Sequence, residues 1–169
     1  MNSGGANDGA NRGAGTITQI GHGGYNSDGD HSGRIEINSG TISVQGGVEN
    51  SRPAIIGHGG QYNDSNLSGD IVVNSTGSIS LIGGGALGDN TNGERTFAMI
   101  GHSIHDASVG GTVTGNITVT AVDDITLTGG VNHDSNASIG HGGTLSNVSG
   151  LSFGTSASPS DIVVRSTNG

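Results

Sequence analysis

The stretch AIIGHGG, residues 54–60, decides the fold of this chain because its central words, Ile-Gly-His, return along the sequence. Four copies are present, and their histidines are His22, His58, His102 and His141. These histidines are 36, 44 and 39 residues apart, a spacing typical of repeat proteins in which each repeat is one structural unit. We therefore treat residues 1–169 as a single domain whose repeats span about 16–51, 52–95, 96–134 and 135–169, with residues 1–15 as a connecting loop or linker.

Each repeat contains three short phrases in which apolar residues alternate with polar ones, the period of a half-buried β-strand. The first phrase leads into the histidine, the second follows a polar residue, and the third precedes a pair of glycines. The leading isoleucines of the second phrase are Ile35, Ile71, Ile117 and Ile162, and those of the third are Ile42, Ile79 and Ile125. The stretches of variable length between phrases are rich in Gly, Asn and Asp and are predicted to be loops.

A constant set of strands joined by variable loops is typical of a solenoid in which each repeat forms one coil. The sequence predicts an all-β, right-handed parallel β-helix of about four triangular coils, with three short strands per coil and uncapped ends. Equivalent strands would stack about 4.8 Å apart, so that the leading isoleucines form ladders along the inside. The alternative that the pattern leaves open is an antiparallel sandwich of hairpins.

The composition suits a narrow core and argues against several classes of protein. The chain has 35 Gly, only two Phe and two Tyr, and no Trp, so a core centred on large aromatic side chains is not expected. A formal net charge of −9 argues against binding to nucleic acid or to anionic membrane surfaces. Cys is absent, so disulfides are excluded, and no apolar run approaches the roughly 20 residues of a membrane span.

Residues 68–85, SGDIVVNSTGSISLIGGG, and residues 114–130, TGNITVTAVDDITLTGG, together with the Ile-Gly-His-Gly-Gly phrases, resemble the repeat regions of filamentous-haemagglutinin-like exoproteins. The resemblance covers about residues 14–169. Members of that family are large Gram-negative surface proteins, exported by two-partner secretion or autotransport, that serve as adhesins, matrix fibres or toxin stalks. The resemblance implies a structural segment of an extracellular adhesin or self-assembling fibre at the bacterial cell surface. This sequence does not contain the secretion domain of such proteins, which leaves the export route open.

The repeats also predict what the ends of the stack contact. Residues 161–169 mirror residues 70–77, after which another third phrase would follow, and no cap is visible at either end. Uncapped coils expose unpaired backbone groups and apolar ladders. We therefore expect the partners to be neighbouring coils of a longer chain or identical subunits stacked end to end, with surface glycans as a further class. Nucleic-acid binding and membrane insertion are not expected.

The four repeated histidines alternate in step with the inward isoleucines, so they are predicted to point inward or to lie at a corner of the coil. We favour a stacked ladder in which each imidazole bonds the backbone of a neighbouring coil. A metal site would need ring nitrogens about 2.0–2.1 Å from one ion, which side chains one coil apart reach only by tilting together. A catalytic histidine copied four times is the least favoured reading. His31, His105 and His133 are expected in solvated loops.

Several loops carry Asp and Asn at alternate positions, a spacing that supplies oxygen ligands to Ca²⁺. Asp28 and Asp30 are the best candidates for such a site. Turns rich in Asn and Asp need no metal, however, because their side chains bond the backbone. We expect no cofactor, and the alternative function is a calcium- or carbohydrate-binding module that acts through these loops.

Catalysis and ice binding are less favoured functions. A polysaccharide-degrading enzyme needs two carboxyl groups facing one cleft, whereas Asp123 and Asp124 are adjacent and would point to opposite faces of a strand. An ice-binding surface needs a repeated flat array of Thr, and the outward positions of the second phrase lack it in three coils of four. The sequence therefore predicts a protein that is not an enzyme.

Overall fold

A computed structural model describes residue 1 and residues 16–85, 94–105, 111–143, 151–158 and 160–169. These residues form short β-strands, and no helix occurs among them. The first coil contains β1 (Thr18–Ile20), β2 (Gly23–Tyr25), β3 (His31–Ser32), β4 (Ile35–Ser39) and β5 (Ile42–Gln45). The second contains β6 (Ala54–Ile56), β7 (Gly59–Gln61), β8 (Leu67–Ser68), β9 (Ile71–Ser75) and β10 (Ile79–Ile82). The third contains β11 (Ala98–Ile100), β12 (Ser103–His105), β13 (Thr112–Thr114), β14 (Ile117–Ala121) and β15 (Ile125–Thr128), and the fourth contains β16 (Ala137–Ile139), β17 (Ser152–Phe153) and β18 (Ile162–Ser166).

Every pairing between these strands is parallel and joins equivalent strands of successive coils. Five ladders result: the first is β1-β6-β11-β16, the second β2-β7-β12, the third β3-β8-β13-β17, the fourth β4-β9-β14-β18 and the fifth β5-β10-β15. The register places the leading isoleucines opposite one another, as Ile35, Ile71, Ile117 and Ile162 in the fourth ladder and Ile42, Ile79 and Ile125 in the fifth. The parallel β-solenoid predicted from the sequence is therefore confirmed.

The coil has five strand positions where the sequence predicts three. The three predicted phrases form the first, fourth and fifth ladders, and the two additional ladders lie between them, after the histidine. Strands β2 and β7 read GGY and GGQ, so they carry no apolar alternation by which a strand could be recognised. In the fourth coil β18 pairs with β14, as the alignment of Ile162 predicts, whereas β17 pairs with β13. The linker predicted for residues 1–15 falls, apart from Met1, outside the described residues.

Two apolar clusters fill the inside of the coil. The larger lies between the first, fourth and fifth ladders and includes fully buried Ile71, Val73 and Ile117. The smaller joins the second and third ladders through Leu67, Ile104 and Val113. A third cluster, formed by Ile55, Phe97 and Met99, covers the opposite face of the first ladder. Burying an aliphatic side chain of this size contributes about 2 kcal/mol, so the ladders supply the main stabilising term.

The stack remains open at its carboxyl-terminal edge. Ile162 is 48% exposed and Leu127 is 46% exposed, although Ile117 and Leu81, one coil further in, are fully buried. These side chains face the core direction, and they are exposed because no strand lies beyond them in the described structure.

Glycine in the Ile-Gly-His phrase permits the close approach of successive coils. A Cβ atom at Gly57 would lie 1.8 Å from the carbonyl oxygen of Gly101, far inside van der Waals contact. Gly57 also has a φ of 154°. Only a residue without a side chain fits this position while the ladders keep their hydrogen bonds.

Candidate functional site: the histidine ladder

The four repeated histidines follow the first-ladder strands directly, at the corner that leads into the second ladder. Their imidazole rings stack along the solenoid axis. The ring centroids of His22 and His58 are 5.1 Å apart, those of His58 and His102 are 5.0 Å apart, and those of His102 and His141 are 4.8 Å apart. The interplanar angles are 13°, 15° and 21°, respectively. The rings therefore form one column that crosses all four coils.

Each step of the column is joined by a hydrogen bond from backbone to side chain. The backbone N–H of His22 donates to Nδ1 of His58 at 3.0 Å. The N–H of His58 donates in the same way to His102 at 3.1 Å, and that of His102 to His141 at 3.2 Å. A side chain of one coil thereby satisfies a corner amide of the preceding coil, where no strand partner accepts that N–H.

The other ring nitrogen, Nε2, bonds a backbone carbonyl across the coil. The pairs are His58 with Gly33, His102 with Gly69 and His141 with Gly115, each at 2.9 Å. These glycines lie between the third and fourth ladders, on the side of the coil opposite the histidine corner. The imidazole column thus bridges the waist of the solenoid and separates the larger apolar cluster from the smaller one.

These bonds fix the protonation state of the rings of His58, His102 and His141, which we call the inner rings. A carbonyl oxygen can only accept, so Nε2 carries the proton, and Nδ1 must be unprotonated to accept the backbone N–H. The neutral state is also favoured electrostatically. Burial, followed by the neighbouring His141, lowers the pKa of His102 to about 3. Burial likewise lowers the pKa of His58 and of His141.

With both nitrogens engaged, the rings of His58, His102 and His141 offer no lone pair to a metal ion and no free base to a substrate. The chemistry that the geometry supports is cohesion between coils. A neutral imidazole is suited to it because it combines one donor, one acceptor and a flat face that stacks at the coil spacing.

His22, in the first coil, departs from this pattern. Its Nδ1 lies 3.2 Å from the carbonyl oxygen of Ser32 in the same coil, and its side chain is exposed. The ring of His22 thus bonds an acceptor within its own coil, whereas the rings of His58, His102 and His141 bond the preceding coil.

The prediction that the three remaining histidines lie in solvated loops is wrong for two of them. His105 lies in β12, is buried, and stacks on Phe97 with ring centroids 5.0 Å apart. His31 lies in β3, and its Nε2 is 3.1 Å from the side-chain nitrogen of Asn63. His133 is exposed, with its Nδ1 3.0 Å from Asp134. The positions of His31 in β3 and His105 in β12 were missed because the third and second ladders, to which these strands belong, lack apolar alternation.

Asp28 and Asp30, the calcium candidates, lie exposed in the loop between β2 and β3. Oδ1 of Asp30 accepts hydrogen bonds from the backbone and side-chain nitrogens of Asn66, at 3.1 and 3.0 Å. Asn66 in turn accepts the backbone N–H of Thr112 at 2.9 Å. Within the described ranges, no three His, Asp or Glu side chains are grouped so that they could hold a metal ion. Asp30 and Asn66 thus make bonds between coils.

A second column of this kind runs beside the fourth ladder. Oδ1 of Asp70 accepts the backbone N–H of Asn116 at 2.9 Å, and Oδ1 of Asn116 accepts that of Asp161 at 3.0 Å. Histidine and Asx columns therefore tie the same coils from opposite directions, because histidine accepts from the preceding coil and Asx from the following one.

In the described part of the chain, no helix has the length and apolar character needed to cross a lipid bilayer. Comparison of the chain with models of protein families, with curated proteins and with solved structures found no match.

Proposed function

We propose that this chain is a rigid structural segment of an extracellular adhesin or self-assembling bacterial surface fibre, and that it performs no catalysis. The observation that carries this proposal is the unbroken column of hydrogen-bonded imidazoles through His22, His58, His102 and His141. The histidines with lowered pKa values, His58, His102 and His141, have both ring nitrogens bonded to a neighbouring coil. These bonds stiffen a rod and leave no ring nitrogen free for catalysis.

The construction of the coil supports the same role. The bonds that link distant parts of the sequence run along the solenoid axis, through five β-ladders and the side-chain columns. Such a stack resists extension and bending because every coil is hydrogen-bonded to its neighbours over most of its perimeter. The resemblance of residues 68–85 and 114–130 to haemagglutinin-like repeats is what supports the proposed location at the bacterial cell surface.

Surface labelling tests the proposal. Antibodies raised against the folded chain should label intact, unpermeabilised cells of the source bacterium, or fibres sheared from them. Labelling that appears only after the cells are lysed would contradict an extracellular structural role. An antibody to a cytoplasmic protein, applied in parallel, controls for leakage.

A further inference from the structure

We propose that His31 and Asn63 form an acid-sensitive latch between the first and second coils, which opens locally when His31 takes up a proton. The latch lies in the loops that connect the second ladder to the third, residues 26–30 in the first coil and 62–66 in the second, which we call the corner loops. The inference adds a conformational device to the chain and does not depend on the structural role proposed above.

The side-chain amide of Asn63 joins the two coils. Its Nδ2 donates to the backbone carbonyl of Ser27 and lies 3.1 Å from Nε2 of His31, and both partners belong to the first coil. A carbonyl oxygen only accepts hydrogen bonds, so the contact with Ser27 identifies the amide atom as the nitrogen. Nε2 of His31 therefore accepts a hydrogen bond from the amide, and the ring in the closed latch is neutral, with its proton on Nδ1.

Protonation of His31 is incompatible with this arrangement. A proton on Nε2 would face the N–H of the amide, so that an attraction becomes a repulsion. A half-turn of the Asn63 amide would not relieve it, because Oδ1 would then face the carbonyl of Ser27. Nε2 also lies 3.4 Å from that carbonyl, which a protonated ring could bind only in competition with Asn63. The two bonds that Asn63 makes to the first coil cannot both persist once the ring is charged.

The charged groups around the latch do not reward closure with a charged ring. The other titratable groups on the elements packed around His31 are Asp28, Asp30, Asp64, His22 and His58, and Arg34 is paired with Glu36. The three carboxylates are on exposed residues, so they act on the ring in the open state as well as in the closed one. Burial lowers the pKa of His58, and charge on His22 or His31 lowers it further, so the column side of the ring favours a neutral His31.

The corner loops are held closed against an opposing cost. Gln61 and Ser65 are buried, yet among the described residues the amide of Gln61, the hydroxyl of Ser65 and Oδ1 of Asn63 have no hydrogen-bond partner. Burying such groups without a partner is unfavourable, and opening would return them to water. Tyr62 has a φ of 54°, a left-handed conformation that is strained for a bulky side chain. Loss of the latch is therefore enough to favour local opening.

The direction of the pH dependence follows from these contacts. The closed corner requires the neutral ring, whereas the open corner accepts the neutral and the charged ring, so opening takes up a proton. Histidine is the side chain that gains its charge in mild acid, so the latch is closed at neutral pH and weakens as the pH falls. The fourth ladder keeps the same two coils together, because the N–H of Ile35 donates to the carbonyl of Asp70 at 2.9 Å and involves no titratable side chain.

Hydrogen exchange measured by NMR at pH values between 7 and 5, with EDTA present, tests the latch. The reporters are the N–H groups of His31 and Asn26, which donate to the carbonyls of Asn66 and Gln61 across the corner at 3.0 and 2.9 Å. Their protection factors should fall about tenfold relative to that of the Ile35 N–H as the pH is lowered. The ratio to Ile35 removes any change in the global stability of the chain.

Two variants separate the proton from the fold. His31→Gln keeps an acceptor opposite Asn63 but takes up no proton, so the protection ratio should become independent of pH. Asn63→Asp places a carboxylate against the ring and favours its charged form, so the ratio should rise instead of falling as the pH is lowered. Circular dichroism verifies the fold of each variant, and His31→Gln decides the question if Asn63→Asp does not fold.

A protection ratio that stays constant from pH 7 to 5 in the parent chain, or that falls equally in His31→Gln, would overturn the inference. Ring-nitrogen chemical shifts that place the proton of neutral His31 on Nε2 would overturn it too, because the latch requires the opposite tautomer from that of the inner rings. Labelling of intact cells tests the structural role separately, so failure of the latch leaves that role standing.

Discussion

The backbone N–H of His58 donates a hydrogen bond to Nδ1 of His102, 3.1 Å away, although the two residues are 44 positions apart in the chain. The same ring donates from Nε2 to Gly69, which belongs to the coil of His58. One side chain therefore binds its neighbouring coil at two corners, and it can do so only while it is neutral. Cohesion of the solenoid is in this way linked to the protonation of a buried residue.

The first consequence is a loss of stability in mild acid. The pKa of His102 is about 3 in the folded chain and about 6.5 in an unfolded one, so unfolding takes up a proton between these values. Stability is complete above pH ~6.5 and falls as the pH is lowered. At pH ~5 the loss from His102 alone is about 2 kcal/mol, and His58 and His141 shift in the same direction.

Chemical denaturation at pH values between 7 and 5 measures how the free energy of unfolding changes with pH, in a range above the ordinary pKa of Asp and Glu. His102→Asn should lower the free energy of unfolding at pH 7 and should flatten its dependence on pH, because an asparagine side chain takes up no proton in this range. A stability that is constant or rises as the pH is lowered from 7 to 5 would show that the column is not neutral.

The second prediction concerns position along the fourth ladder. Ile117 and Ile162 are in-register equivalents, but the first is fully buried and the second half exposed. Ile117→Ala should cost about 2–5 kcal/mol because it leaves a cavity between two coils. Ile162→Ala should cost much less, because that side chain is already half exposed. Equal losses in urea denaturation would mean that the two residues do not share an inward ladder.

The third prediction concerns the glycine of the repeated phrase. Gly57→Ala would place a methyl group against the carbonyl of Gly101, so the second and third coils would have to separate. We expect a fall in melting temperature of well over ten degrees or a loss of the cooperative transition. Gly40→Ala is the matched control, because no atom lies within 4 Å of a Cβ there. If both variants melted like the parent chain, the coil contact at Gly57 would be incorrect.

The fourth prediction concerns calcium. Asp30 uses its carboxylate to bond Asn66, so calcium chloride should leave the melting temperature unchanged, and Asp30→Ala should lower it in the absence of any metal. A calcium-dependent rise that Asp28→Ala removes would instead support the calcium-binding alternative. Magnesium chloride at equal ionic strength controls for screening.

Sequence reasoning could predict those parts of the fold that have a periodic apolar signal. The alternation at Ile71 and Val73, or at Ile79 and Leu81, specifies a strand and its inward face. The constant spacing within repeats then specifies which strands stack. The second and third ladders lack this signal, because β2 and β7 of the second ladder consist largely of glycine and the third-ladder strands are only two or three residues long. Both ladders are held by backbone bonds to neighbouring coils. Their existence depends on tertiary pairing that no local pattern encodes.

The histidine column, too, could be predicted from the sequence only in part. The repetition of Ile-Gly-His is enough to predict that the rings share a corner. The atoms that each ring bonds could not be predicted, because Gly33, Gly69 and Gly115 come from the far side of the coil and follow ladders that were not recognised. The burial of His105 against Phe97 was missed for the same reason.

The most direct test of the account is the scalar coupling across the hydrogen bond between the backbone nitrogen of His58 and Nδ1 of His102, measured by NMR on isotope-labelled chain. The account predicts this coupling, with equivalent couplings for the pairs His22–His58 and His102–His141, and chemical shifts of a neutral ring protonated at Nε2. A ring protonated at Nδ1, or an inner column without any coupling, would contradict the stacked, neutral histidine ladder and the coil register that depends on it.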